Sequence, residues 1–326
     1  MYIVFCFAKT RLEMKTKKHV FAVILGVLIF ACGCSSTKPK IPDKLEMKNE
    51  GGVVQPILSV FNTSTQKIEK MPLETYILGV VAGEMDGNFP AEALKAQAVL
   101  ARTYALHFVA SKQSKYEGAD ISTDIEEAQA YAPEKINDAI LDAVAETQGK
   151  VLSVGNEFIE SWFFSNSGGK TASTKEAFVG SENDPEFVKV VSSPENEENS
   201  KNAVWSTWIS RAEMLDALAK MGKEVSSVSK ISVGKTGPSG RAISLMFGSD
   251  EISAPEFRLA VGSTKFKSTL ITDIKVDKNG ATFSGKGYGH GVGLSQWGAK
   301  VLAEEGNDYA DILNHYFKNV KIADLY

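Results

Sequence analysis

Three segments of the sequence combine residue types that could do chemistry. The first ends at Glu84, the second is the loop SNSGGKT at 165–171, and the third is the run GYGHGVG at 287–293. A carboxylic acid on an apolar surface has its ionised form penalised by desolvation, so its pKa rises toward the range useful for donating a proton. Glu84 is therefore a candidate general acid.

The apolar pattern around Glu84 supports this interpretation. Apolar residues at 73, 77, 80 and 81 follow helical spacing, and Glu84 lies seven residues after Ile77 and four after Val80, on the same stripe. We find no other acid so placed. The alternative is structural, because a carboxylate at a helix end can form an ion pair, here with Lys95 or Arg102.

The run at 287–293 has glycine at every second position, so its backbone can approach a ligand or another chain closely. Tyr288 and His290 are then expected to project on one side. An aromatic ring and an imidazole beside open backbone suit a sugar, which offers apolar ring faces and hydroxyls together. The alternative is a tight structural turn with a satisfied histidine.

The elements that must position these residues mix helices and strands without a regular βαβ alternation. This predicts an α+β fold with mainly antiparallel sheets around a cleft. We expect the acidic stretch at 182–203 to be a surface loop. The patterns predict strands at 53–61, 67–71, 150–154, 158–164, 228–233 and 242–247, and helices at 72–84, from Pro90 onward, and at 136–147, 211–221, 296–304 and 309–317.

The amino terminus has the pattern of an export signal. Lysines after Met14 precede an apolar run at 20–31, which is short for a membrane span. The following residues, ACGCSS, resemble the lipobox of bacterial lipoproteins, with Cys34 as the expected lipidated residue and Cys32 as the alternative. A plain membrane anchor is a further alternative. Either way we expect the protein outside the cytoplasmic membrane, with Met14 as a possible true start.

These patterns give a domain organisation. We expect an export signal with lipobox at 1–34, a polar tether at 35–51 and one catalytic module at 52–326, with a subdomain around 185–265.

Composition excludes several classes of protein. The net charge is −4, from 36 Lys+Arg and 40 Asp+Glu, which argues against a nucleic-acid binder. The three cysteines are at 6, 32 and 34, so the rest of the chain has no thiol for a disulfide scaffold, a metal site or a nucleophile. With only four histidines as well, we expect no metal and no cofactor.

Two long blocks carry a family resemblance. MPLETYILGVVAGEM at 71–85 and FPAEALKAQAVLARTYA at 89–105 closely resemble the opening signature of the SpoIID/LytB family. Later motifs of the family follow in the same order along this chain: the loop at 165–171, FR at 257–258 and the block at 287–299. The resemblance covers nearly all of 52–320.

The resemblance implies a lytic transglycosylase that cuts peptidoglycan strands after N-acetylmuramic acid. Glu84 would protonate the glycosidic oxygen and then, as a base, help the sugar's own 6-hydroxyl close a 1,6-anhydro ring, so no second carboxylate is needed. The alternative is a non-catalytic wall-binding enhancer of an N-acetylmuramoyl-L-alanine amidase, which would be its partner. The candidate substrate-binding residues are Arg102, Ser167, Gly168, Gly169, Tyr288, His290 and Gln296.

Two departures from the family pattern matter. Some members carry a zinc-linked cysteine pattern where this chain has Ser122 and Ala128, so we predict no structural zinc. Many members have a histidine where this chain has Phe164. Any site role of that imidazole is absent here.

Overall fold

The computed structural model describes residues 38–201 and 203–326. The export signal, Cys32 and Cys34 lie outside the described residues. The strands are β1 Glu46–Glu50, β2 Val53–Asn62, β3 Lys67–Pro72, β4 Ile121–Ser122, β5 Lys150–Val154, β6 Glu157–Phe158, β7 Phe163–Phe164, β8 Val204–Ser210, β9 Ile231–Val233, β10 Ser244–Phe247, β11 Asp250–Ser253, β12 Ile271–Val276, β13 Gly280–Lys286, β14 Leu294–Ser295 and β15 Lys321–Asp324.

Eight α-helices accompany these strands in the described ranges, and a 3-10 helix covers Pro133–Lys135. Within those ranges, none of the helices is long and apolar enough to cross a membrane. The helices are α1 Leu73–Glu84, α2 Ala91–Ser111, α3 Asp138–Glu146, α4 Thr174–Ala177, α5 Arg211–Lys220, α6 Ala254–Val261, α7 Gln296–Glu304 and α8 Tyr309–Tyr316.

The predicted α+β class is confirmed. β1, β2 and β3 form an antiparallel sheet that β4 joins in parallel, and β8, β12 and β13 form a second antiparallel sheet. The other antiparallel groups are β9, β10 and β11, and β5, β6 and β15. Pairing of this kind joins strands through short turns, which matches the lack of βαβ alternation.

The two helices nearest Glu84 form as predicted. Pro72 and Pro90 each sit at the N-cap, where the missing N–H costs no hydrogen bond. The small-residue stripe of α2, which includes Leu94, Ala98 and Ala101, is fully buried. Small side chains on this face let α2 pack against α1, α3 and α7. This packing fixes the end of α1, where Glu84 lies.

The hairpin predicted over 150–164 is wrong in its second half. Residues 157–158 pair with β5, but residues 163–164 pair in parallel with β14 instead. The chain thus leaves one sheet at 159–162 and joins another. The acidic stretch at 182–203 also differs from a plain surface loop, because Glu195 is buried and accepts hydrogen bonds from the Ser167 N–H and the Ser295 hydroxyl.

Two hydrophobic clusters form the core. The larger one combines α1, α2, α3, β2, β5, α7 and α8. The smaller one lies between Trp205 and Phe283 and includes the aromatic rings of Phe257, Phe266 and Phe283, which meet edge-on or tilted. The domain boundaries expected from the sequence, including a subdomain around 185–265, stay predictions.

Candidate functional site

Glu84 is the last residue of α1 and is half-buried. Its Oε1 accepts a hydrogen bond from the Ala130 N–H at 2.7 Å, and the Gln296 side chain donates to the same carboxyl. None of the ion pairs among residues 38–201 and 203–326 includes Glu84. The carboxyl is thus held by neutral donors.

The structural alternative, in which Glu84 forms an ion pair with Lys95 or Arg102, is wrong. Lys95 pairs with Glu92 and Glu146, and Arg102 pairs with Glu74. Neither cation is available to neutralise Glu84, so the acid on the apolar stripe is not a helix-end ion pair.

Burial raises the pKa of the Glu84 carboxyl above its ordinary value of 4.5, and the hydrogen bonds from Ala130 and Gln296 oppose part of this shift. A raised pKa increases the fraction of carboxyl that holds a proton near neutral pH. The environment therefore favours a proton donor that can accept the proton back.

Gly83 explains how the Ala130 N–H reaches the carboxyl. A Cβ at Gly83 would lie 2.7 Å from the Ala130 carbonyl carbon and 2.8 Å from the Tyr131 nitrogen. One turn earlier, Tyr131 covers Gly79, and the Gly79 carbonyl accepts from the Ala132 N–H at 2.9 Å. Glycine at both positions lets residues 130–132 lie directly on α1.

Glu84 lines a cavity of about 440 Å³. Its wall is rich in rings, and Gln129, Glu160 and Gln296 contribute polar groups. A concave site with an apolar wall and a few polar groups is typical of a ligand pocket. The rings are Tyr104, Trp162, Phe163, Phe164, Phe178, Tyr288 and His290.

Glu84 also lines a second cavity. This cavity is polar, has a volume of about 440 Å³ and is lined by residues 82–88 with Lys135 and Asn137. A third cavity of about 300 Å³ shares Glu160 and Trp162 with the aromatic one. Glu84 therefore belongs to the lining of two cavities, which suits a polymer that continues past the reacting bond.

Glu160 is a second acid on the aromatic cavity, which the sequence patterns did not reveal. Its carboxylate forms a salt bridge with Lys112 at 2.7 Å. Glu84 has neutral partners and Glu160 a cationic one, so the two carboxyls are suited to different tasks. A proton donor fits Glu84, and a fixed negative charge fits Glu160.

His290 contributes its ring to the cavity, but both of its nitrogens are taken by backbone groups. Nδ1 accepts from the Val292 N–H at 3.1 Å, which assigns the proton to Nε2, 3.0 Å from the Phe163 carbonyl oxygen. The pKa of His290 is lowered to about 3, chiefly by burial and also by the charges of Arg258 and Arg241, against the opposing effect of the Phe163 carbonyl. His290 is thus neutral and orients its neighbours.

The glycines at 287–293 let this segment pack closely against other segments of the protein. A Cβ at Gly289 would lie 2.7 Å from that of Phe164, and one at Gly293 would lie 2.0 Å from the Trp162 carbonyl oxygen. The close approach of Gly287, Gly289 and Gly293 is therefore to residues 162–168, and that of Gly291 is to Arg241. Tyr288 faces the aromatic cavity, with the Lys267 ammonium 5.5 Å from its ring centroid.

The remaining predicted substrate-binding residues lie away from Glu84, except Gln296. Arg102 is fully buried and bound to Glu74, so its expected contact with substrate is not supported. Ser167 is also buried. Its N–H donates a hydrogen bond to Glu195, and its carbonyl accepts one from Arg241. Gly168 and Gly169 line a separate cavity of about 230 Å³. The loop at 165–171 is therefore mainly a support for the Tyr288 run.

Sequence reasoning missed most of the residues that line the aromatic cavity, among them Tyr104, Gln129, Glu160 and Trp162. Burial raises the pKa of Tyr104 to about 12, with the charges of Glu160, Glu127 and Glu84 contributing, so its hydroxyl stays protonated. Only Tyr104 had a signal in the sequence, namely its position on α2. It lies two helical turns after Gln97, on the same face, and Gln97 contacts Gln296.

The loop that carries Ser122 and Ala128 is held by hydrogen bonds. The Tyr76 hydroxyl donates to the Ser122 carbonyl at 3.0 Å, and the Thr123 hydroxyl lies 2.9 Å from that of Thr63. In the part of the chain that the structure describes, no group of three or more His, Cys, Asp and Glu side chains is placed to hold a metal ion. The absence of zinc stays a prediction.

Comparison with known proteins agrees with this architecture. Residues 61–153 match the family model for the stage II sporulation protein SpoIID, and residues 139–293 match a domain of unknown function, DUF8618. Stage II sporulation protein D of Bacillus subtilis strain 168 is 31% identical over 282 residues, covering 82% of this chain and 79% of that protein. The Bacillus amyloliquefaciens protein of the same name is 30% identical over 280 residues, covering 81% and 78%.

A third relative has a different name. The amidase enhancer of Bacillus subtilis strain 168 is 32% identical over 284 residues, covering 73% of this chain and 39% of that protein. The chain belongs to the SpoIID/LytB family, as the blocks at 71–85 and 89–105 predicted.

Proposed function

We propose that this protein is a peptidoglycan lytic transglycosylase with Glu84 as its general acid and base. The observation that carries the proposal is the Glu84 carboxyl, which has a raised pKa, neutral hydrogen-bond partners and a place in the lining of two cavities. A strand-cleaving enzyme needs such an acid beneath a bond in the middle of its substrate. Membership of the SpoIID/LytB family supports peptidoglycan as the substrate.

The reaction needs one carboxyl acting twice. Glu84 donates its proton to the glycosidic oxygen, and the bond from that oxygen to C1 of the muramic acid breaks. The Glu84 carboxylate then accepts the proton of the same sugar's 6-hydroxyl, whose oxygen bonds to C1 and closes the 1,6-anhydro ring. The proton returns to Glu84, so atoms and charge balance without water.

The other cavity residues supply binding and charge. Flat rings such as Trp162 and Tyr288 offer apolar surface to sugar ring faces. The Glu160 carboxylate can stabilise positive charge that develops at C1 as the bond breaks. His290 takes no proton in this scheme, because both ring nitrogens are bound to backbone groups.

Glu160 also defines a competing reaction on the same site. As a base that activates water, it would make the protein a hydrolase, with products that end in reducing sugars. Mass spectrometry of purified glycan strands digested with the protein separates the two. We expect ends of 1,6-anhydro-muramic acid, and reducing ends would overturn the transglycosylase assignment.

The second candidate function is enhancement of a cell-wall amidase, which the amidase enhancer relative favours. It would use the same groove for binding, with Glu84 serving structure. The protein should then cleave neither intact nor peptide-free strands but accelerate an amidase, and Glu84→Gln should accelerate it equally well. Cleavage that depends on Glu84 would exclude this candidate as the main activity.

We also propose that the protein is anchored outside the cytoplasmic membrane through a lipid on Cys34. The support is the sequence pattern at 20–36. Cys34→Ala should release the protein from membranes or leave its precursor unprocessed. Normal processing and attachment in that variant would indicate Cys32 or a plain anchor.

A further inference from the structure

Gln129 has an unusual position for a glutamine side chain. It is only 2% exposed, and neither Nε2 nor Oε1 has a hydrogen-bond partner in the part of the chain that the structure describes. Buried amides in proteins nearly always have partners, because an unpaired one loses its bonds to water and gains none. A buried, unpaired amide on the wall of a ligand pocket points to a ligand group.

The amide lies at a fixed place relative to the acid. Gln129 and Glu84 line the same cavity, and the next residue, Ala130, donates its N–H to Glu84. On the far side of Ala130, the backbone is held on α1 by the bond from Ala132 to Gly79. Since the chain that follows Gln129 is held on α1 at Ala130 and Ala132, a group that Gln129 binds lies in the same cavity as Glu84.

The chemistry of the side chain indicates which group. A glutamine amide offers one carbonyl acceptor and one NH₂ donor side by side. An acetamido group carries an N–H and a carbonyl on opposite edges of its trans amide, so the Gln129 amide can accept from the N–H or donate to the carbonyl. Its methyl group suits the apolar wall, to which Ala128 belongs.

We propose that Gln129 is a specificity-determining residue that binds the acetamido group of a 2-acetamido sugar next to Glu84. The inference rests on the proposed glycan-cleaving function but can be tested without cleavage. Gln129 would make the site prefer N-acetylated sugars over sugars with a hydroxyl at C2. A site with buried amide groups rejects a ligand that leaves them unpaired.

The test compares two neutral β-1,4-linked probes, the tetrasaccharides of N-acetylglucosamine and of glucose. Binding to the full-length protein in detergent is measured by calorimetry. We expect the wild-type protein to bind the acetylated probe about 10-fold more tightly, the scale of one hydrogen bond. Gln129→Leu should reduce this preference to about 2-fold or less on the same scale.

Gln55→Leu is the matched control. Gln55 is also a buried glutamine, but it bonds the Glu74 N–H and lies outside the cavity, so the preference should remain. Gln129→Met, which keeps the side-chain length without donor or acceptor, replaces Gln129→Leu if the latter does not fold. A wild-type protein without preference, or a folded Gln129 variant that keeps it, would overturn the inference.

The outcomes separate this inference from the proposed function. A protein that cleaves strands but keeps its preference in Gln129→Leu retains the function and loses the inference. A protein that shows a Gln129-dependent preference but cleaves nothing retains the inference and loses the function.

Discussion

Replacing Arg102 tests whether this residue supports the scaffold or binds substrate. Its Nε and Nη2 donate to the Glu74 carboxylate at 2.8 and 2.6 Å, and both residues are buried, at 0% and 8% exposure. Removing one partner of a buried ion pair leaves an uncompensated charge and costs about 3–5 kcal/mol. Arg102→Leu should therefore destabilise the fold strongly.

The other hydrogen-bond donors to Glu74 reduce the free-energy cost of losing Arg102. After the substitution, the Gly149 N–H at 3.2 Å and the Tyr326 hydroxyl still donate to Glu74. We therefore expect the lower end, about 3 kcal/mol. For a chain of this size each kcal/mol lowers the melting temperature by roughly 2–4 °C, so the expected loss is about 6–12 °C.

The assay is thermal unfolding followed by circular dichroism on the full-length protein. Lys220→Leu is the control, because it removes an exposed pair with Asp216 and should cost under about 1 kcal/mol. Glycan binding by folded Arg102→Leu should persist at low temperature. A variant with wild-type stability that no longer binds peptidoglycan would refute the reasoning and return Arg102 to the substrate site.

Three further predictions concern the surroundings of Glu84. Gly83→Ala should push Ala130 away from the carboxyl and lower the cleavage rate by up to about 10²-fold, measured as initial rates on purified strands, and an unchanged rate would contradict the close packing. Because the folded-state pKa of Glu84 is raised, its effect on stability is most favourable below the unfolded pKa and is lost as pH rises through the folded pKa. Denaturant unfolding of Glu84→Gln should accordingly show a stability gain over wild type that is larger at pH 8 than at pH 4, and a gain independent of pH would argue against the shift. Elemental analysis should find no stoichiometric zinc and a chelator should leave the melting temperature unchanged, whereas about one equivalent of bound zinc would overturn the interpretation of Ser122 and Ala128.

Local periodicity was enough to predict the elements that carry the acid. Glu84 stood out because it breaks an apolar helical stripe, and α1 and α2 follow from the same spacing. The apolar spacing of α1 and α2 is a property of each segment by itself, and tertiary packing buries the face that this spacing already defines. Helices of this kind are therefore readable from sequence.

The rest of the cavity comes from segments far apart in the chain. Gln129 lies in an irregular stretch, and Glu160 and Trp162 follow a strand that ends earlier than its apolar run suggests. Their meeting with Glu84 depends on tertiary packing, which has no local signal. Residue type also misled, because His290 looked like a ligand-binding group while its nitrogens bind the backbone of Phe163 and Val292.

The most direct test of the central claim is the cleavage rate of peptidoglycan strands by Glu84→Gln. Glutamine keeps the size and the acceptor for the Ala130 N–H but carries no transferable proton. We predict a loss on the order of 10² or more, with the fold and glycan binding retained, and a smaller loss for Glu160→Gln, the second carboxyl of the cavity. Cleavage by Glu84→Gln at the wild-type rate would contradict the assignment of Glu84 as the acid.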